Sequence, residues 1–177
     1  MNAIRIWTIS GFFAVCVVGS CLHYAYEFSG NSRIIGAFVP INESVWEHLK
    51  LGLWALILFA FLEYHFLADK VNNYFTSKAL AILSLSITIL LVYYGYRFFV
   101  SHSILLIDIS SFFLGSFIAH WIMFKTFKYR QLDSLNKVSL VLIIAICLLF
   151  AIFSFHPPHY GIFKDYHTNT YGIDMLQ

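Results

Sequence analysis

The sequence predicts an all-α fold: an integral membrane bundle of five transmembrane helices, with an ordered extracytoplasmic loop and C-terminal tail. Three observations carry that expectation. Of 177 residues, 60% are hydrophobic and only 11% are charged, whereas a soluble domain typically carries about 25% charged residues. Five apolar stretches are each long enough to cross a hydrocarbon core of about 30 Å at 1.5 Å per residue. Aromatic residues reach 19%, which suits lipid-facing surfaces and interfacial belts. The length fits one domain over residues 1–177, and a net charge of +2 gives no basis for a nucleic-acid partner.

Taken in order, the first span is expected over residues 4–28. Residues 30–41 hold Gly30, Gly36 and Pro40 and read as a loop at the membrane interface. The second span, 45–68, follows the helix-start signal Ser44. The third and fourth, 78–100 and 104–124, are joined through Ser101-His102-Ser103 as a tight hairpin. The fifth, 138–155, ends at Pro157-Pro158 because proline cannot continue a helix. Cys16, Cys21 and Cys147 fall within spans, and an odd count there is no disulfide framework.

Positive charge is retained on the cytoplasmic side of a membrane. With five spans, Arg5, Lys70, Lys78, Lys125, Lys128, Arg130 and Lys137 share one side, and Arg33, Lys50, Arg97 and Lys164 the other. The expected protein is therefore a multi-pass plasma-membrane protein with a cytoplasmic N-terminus and an extracytoplasmic C-terminus. On that map every histidine except His65 and His120 lies toward the outer face. So do Glu27, Glu43, Glu47, Asp108 and Asp165.

The densest polar string is Asn42-Glu43-Ser44-Val45-Trp46-Glu47-His48-Leu49-Lys50, at the mouth of a span that then turns apolar. Ser44 and Glu47 match a capping box, and both glutamates complement the helix dipole. Capping leaves His48 unexplained, and ionisable groups at membrane depth point to function. Glu47, His48 and Glu43 are the candidate catalytic groups, with a glutamate as general base. His23, His48, His102 and His156 are the candidate metal ligands, and zinc is the ion that imidazole and carboxylate suit. No His-Glu-x-x-His or Cys-x-x-Cys signature accompanies them. Asn42, Arg97 and Tyr93 are the candidate substrate-binding residues. Arg97 and Asp108 are expected to form a charge pair across the hairpin. Glu63 is expected either to pair with His120 or to reach the interface. The aromatic tail Tyr160, Phe163, Tyr166 and Tyr171 is expected to fold back over the outer helix ends.

Residues Phe38-Val39-Pro40-Ile41 with the Asn42–Lys50 string, and the closing Pro157-Pro158-His159-Tyr160-Gly161-Ile162-Phe163-Lys164-Asp165 and Tyr171-Gly172-Ile173, resemble a family of small multi-pass membrane proteins of Gram-positive bacteria catalogued as a domain of unknown function. The resemblance spans essentially the whole chain. It implies a polytopic membrane protein and no particular activity. Where the family's tail reads Phe-x-Asp-Pro, this chain has Tyr166 in place of the proline.

Two function classes follow. One is an enzyme at the outer leaflet, a metal-assisted hydrolase or transferase acting on a lipid or lipid-linked substrate. The other is a non-catalytic solute-binding transport component, or an accessory subunit that binds a protein partner. The bilayer is the expected environment of both.

Overall fold

The computed structural model describes residues 2–173. Five helices are long and apolar enough to cross a membrane. They are α1 (Asn2–Leu22), α4 (Val45–Leu67), α5 (Tyr74–Arg97), α6 (Leu105–Phe127) and α7 (Asp133–Phe155), with single-turn helices α2 (Ala25–Phe28) and α3 (Arg33–Gly36) between the first two. No strand occurs among the described residues. The expected first span is cut short: α1 stops at Leu22, and His23 and Tyr24 form a turn, closed by Tyr24 N–H donating to Cys21 O at 3.2 Å. His23 and Glu27 therefore do not share a continuous helix.

Helix α5 is the packing centre. It lies along α6 in an antiparallel hairpin and also touches α7 and α4, while α1 packs on α4 and α6. Two glycines allow close approach. A Cβ on Gly52 of α4 would stand 2.4 Å from Leu85 Cδ2, and one on Gly115 of α6 would stand 3.1 Å from the Leu85 carbonyl oxygen. Small residues at such crossings let helix backbones meet closely in a membrane. Leu53, Leu56, Leu85, Met123 and Phe127 fill the space around them. Phe13, Val17, Leu91, Phe117, Val141 and Leu148 face outward. A large exposed apolar surface of this kind is what lipid requires and water does not tolerate.

Each end of the bundle is tied by a buried ion pair. At the α4–α5 turn, Lys78 Nζ pairs with Glu63, and Glu63 also accepts from the Tyr74 hydroxyl at 3.2 Å. Neither charged residue is more than 3% exposed. Glu63 thus takes neither expected partner: it is held by Lys78 of the next helix. His120 is buried as well, its Nδ1–H donating to Ser116 O at 2.8 Å. The turn itself uses Asn73 at φ 55°, a left-handed conformation asparagine tolerates better than most residues. Asn73 Oδ1 accepts from Leu132 N–H at 2.7 Å, and its Nδ2 donates to Arg130 O at 2.9 Å, clamping the α4–α5 turn to the α6–α7 turn.

At the other end the tail folds back onto the bundle. Phe163 inserts beside Trp46 and Phe153, with ring centroids 4.8 and 5.4 Å apart. Ile173 N–H donates to Ser154 O at 2.9 Å. Gly172 is required there: its φ is 58°, and a Cβ would stand 2.8 Å from Pro157. Asp165, only 2% exposed, organises the turn by accepting from His167 N–H at 2.7 Å, Thr168 Oγ1–H at 2.8 Å and Glu43 N–H at 3.4 Å. Burial raises its pKa, but these donors outweigh it and hold the carboxyl below the usual aspartate range. Because the folded value is depressed, the contribution is complete above the ordinary aspartate pKa. It is lost as pH falls through the lower folded value. Asp165→Asn is therefore expected to loosen the tail at neutral pH, seen as faster proteolysis after Pro158 than in wild type, and the difference between the two proteins should vanish in strong acid.

Candidate functional site

The site grows from the start of α4. Ser44 caps the helix: its Oγ accepts from Glu47 N–H at 3.3 Å, while Asn42 Oδ1 accepts from Ser44 N–H at 3.0 Å. Half of the expected capping box is therefore present. The Glu47 carboxylate does not return to Ser44. It accepts from Ile41 N–H at 3.1 Å and pairs with Lys50 at 2.6 Å, one turn along. Lys50 Nζ also donates to the carbonyls of Gly36 at 2.9 Å and Val39 at 3.2 Å, and contacts Ser154 Oγ. Glu47 is 2% exposed and Lys50 is fully buried. This closed set of contacts binds the α3–α4 loop and the end of α7 to the first turns of α4.

One residue on from Glu47, His48 projects to a different side. Its Nδ1 lies 2.9 Å from Ser44 O. A carbonyl can only accept, so Nδ1 carries the proton and Nε2 of the neutral ring bears a lone pair. That Nε2 is 3.3 Å from Glu43 Oε2, and His23 Nε2 is 3.9 Å from Glu43 Oε1. The two rings are 5.3 Å apart, centroid to centroid. One ligand atom from each of His23, Glu43 and His48 falls within 4.8 Å of the others. Both imidazoles are about one-third exposed and the carboxylate about half. The hydrogen bond with His48 and the nearby imidazoles hold the Glu43 carboxyl below the usual range, against burial and Asp165, which raise it. A neutral imidazole lone pair facing a carboxylate oxygen is stable only with a proton or a cation between them. The cluster is thus either a charged imidazole–carboxylate group or a cation site, according to what is present.

The other expected residues stand apart from this trio. His102 is exposed in the α5–α6 turn and His156 is exposed at the end of α7; neither joins the cluster. Asn42 is buried, and its Nδ2 has no partner among the described residues. Arg97 lies over the Tyr93 ring, 5.9 Å from the centroid, with a buried Nη1 that likewise lacks a partner. The expected Arg97–Asp108 charge pair is not formed. Asp108 instead accepts from the Tyr96 hydroxyl at 2.7 Å, one residue earlier on α5. Lys50, Ser154 and Asp165 hold the site together and were not among the expected functional residues. The Glu47–Lys50 spacing of three was the available signal, since it places both side chains on one helix face.

Fold and composition define a polytopic α-helical membrane protein with a polar His/Glu cluster at one end of the bundle. The chain belongs to the family of unknown function DUF6512, whose model matches residues 1–173. No curated protein and no solved structure matches it.

Proposed function

We propose that the protein is a metal-dependent hydrolase or transferase of the plasma membrane, working at the extracytoplasmic rim on a lipid or lipid-linked substrate. The supporting observation is the convergence of His23, Glu43 and His48 within 4.8 Å. Two imidazoles and a carboxylate are a ligand set of hydrolytic zinc sites, in which the fourth position stays open. A bound divalent ion would supply Lewis acidity and a more acidic water there.

The chain's own groups then have separable tasks. Ser44 O keeps the proton on His48 Nδ1 and leaves Nε2 to bind, the second-shell arrangement usual for metal-ligating histidines. Glu43 serves as a ligand in this scheme rather than as a base. Glu47 is a positioning residue: with Lys50 it fixes the turn on which His48 rides and the loop that carries Glu43. Arg97, lying over the Tyr93 ring, is assigned with Tyr93 to an anionic substrate group, and the buried Asn42, whose Oδ1 accepts from Ser44 N–H, to holding the start of α4. Lys125, Lys128, Arg130 and Lys137 lie toward the opposite end of the bundle, and positive-inside retention supports a cytoplasmic location for that end.

The test is elemental analysis of protein purified without chelators. Wild type is expected to hold about one zinc per chain, and His48→Ala and Glu43→Gln to lose it while keeping their helical content. The contrary result is a wild type that takes up no stoichiometric metal when zinc is supplied, or variants that bind as well as wild type. A non-catalytic accessory or solute-binding role would then be the better account.

A further inference from the structure

At the end of the bundle away from the His/Glu cluster, an open groove of about 350 Å³ lies between α1 and α6. Its walls are mainly Ile9 and Phe12 from α1 and Phe117, Trp121 and Phe124 from α6, with the polar Thr8 and His120 and the exposed Arg5 also lining it. The volume is within the range of small-molecule pockets, about 300–1,000 Å³. From Arg5 to Phe12 the groove runs about 10 Å along α1 at 1.5 Å per residue, parallel to the direction of an acyl chain.

Charge is what specifies the occupant. Lys128 Nζ sits 3.5 Å above the Phe124 ring, and Lys125 Nζ sits 5.8 Å from the Trp121 ring centroid. Two of the groove's own aromatic walls therefore each carry a cation over the ring, at the same end of the bundle as Arg5. All three cations are exposed, and among the described residues none is paired with a carboxylate. At the same end, Glu63 is buried against Lys78, and the exposed Asp69 and Asp133 pair with none of the three cations. An aromatic slot that takes part of an acyl chain, lined by one unpaired cation and flanked by two more, has the complementarity of one amphiphile: an apolar tail with a negatively charged head.

We propose that this groove binds a phospholipid with an anionic headgroup, the chain lying against Phe12, Phe117, Trp121 and Phe124 and the phosphate held by Arg5, Lys125 and Lys128. The site is independent of the His/Glu cluster and stands whether or not a metal binds there.

Native mass spectrometry of the full chain in detergent tests this with phosphatidylglycerol and phosphatidylcholine of the same acyl chains. Phosphatidylglycerol is expected to be retained preferentially. Arg5→Gln and the double change Lys125→Gln/Lys128→Gln should weaken it roughly five-fold per cation removed, with a smaller loss for phosphatidylcholine, whose choline offsets its phosphate. Phosphatidylglycerol brominated on the acyl chain should quench tryptophan fluorescence in wild type, and the quenching should fall sharply in Trp121→Phe. Equal retention of the two lipids, cation variants that bind as wild type does, or quenching unchanged in Trp121→Phe would overturn the proposal. A lipid-free dimer that dissociates when Ile9 is changed to Lys would do so too, by assigning the groove to a second copy of the chain.

Discussion

Lys50→Met is expected to destabilise the folded protein by about 3–5 kcal/mol, the usual cost of stranding one member of a buried ion pair. Thermal unfolding in detergent, followed by circular dichroism, would measure it. Lys50 has no exposure, and its four partners come from three separate parts of the chain. Methionine matches the stem in length but donates nothing. Glu47 would then be left charged with only Ile41 N–H and Ser154 Oγ–H, the latter at 3.4 Å from Oε1. The Gly36 and Val39 carbonyls would lose the donor they share. Adding Glu47→Gln or Glu47→Leu should not restore stability, because those backbone groups would still be unsatisfied in an apolar setting. The loop released by Lys50→Met also carries Glu43, so metal affinity should fall along with stability.

Lys78→Met is expected to cost a similar 3–5 kcal/mol by leaving Glu63 buried without its cation, but its rescue should differ. Around this pair no backbone carbonyl depends on Lys78. The ammonium contacts Glu63 and Met123 Sδ, and stands over the Tyr74 and Phe127 rings at 5.2 and 5.6 Å. The Tyr74 hydroxyl has an alternative acceptor in Ala60 O at 2.9 Å. Glu63→Leu combined with Lys78→Met should therefore return most of the stability, since well-packed apolar replacements of a buried pair are often neutral or better. Two ion pairs of equal burial thus separate in a double-mutant comparison. Only the one at the site end is irreplaceable, because it also carries the backbone.

The five long helices were legible because a bilayer demands some twenty apolar residues per crossing, and the stretches ending at Leu67 and Phe155 are bounded by charged, polar or proline residues; the end of α5 at Arg97 was not, since Phe98-Phe99-Val100 continues the apolar run. Nor was the break after Leu22, since Tyr24 to Phe28 continues the largely apolar and aromatic pattern past the turn at His23 and Tyr24. Ser44 as a cap followed from local chemistry alone. The partners of Glu47, Glu63 and Asp108 did not, because each depends on which residue faces it across the bundle. Lys50 and Lys78 illustrate the difficulty: in sequence each looks like an ordinary boundary lysine, yet each is buried against a glutamate. Removing both from the tally of interfacial charge takes one residue from each side and leaves the positive bias of the α6–α7 end as it was. In the site, His23 and His48 converge while His102 and His156 stay apart, a distinction set by how the turns at the helix ends fold, which no spacing rule contains.

The central claim is that His23, Glu43 and His48 together form one cation site. X-ray absorption at the zinc edge, on detergent-solubilised protein loaded with one equivalent, tests it most directly. The expected spectrum has only nitrogen and oxygen in the first shell at about 2.0–2.2 Å, with outer-shell scattering from two imidazoles that drops to one in His23→Ala and in His48→Ala. A spectrum of hydrated zinc, a sulfur shell near 2.3 Å, or imidazole scattering unaltered by either substitution would contradict it.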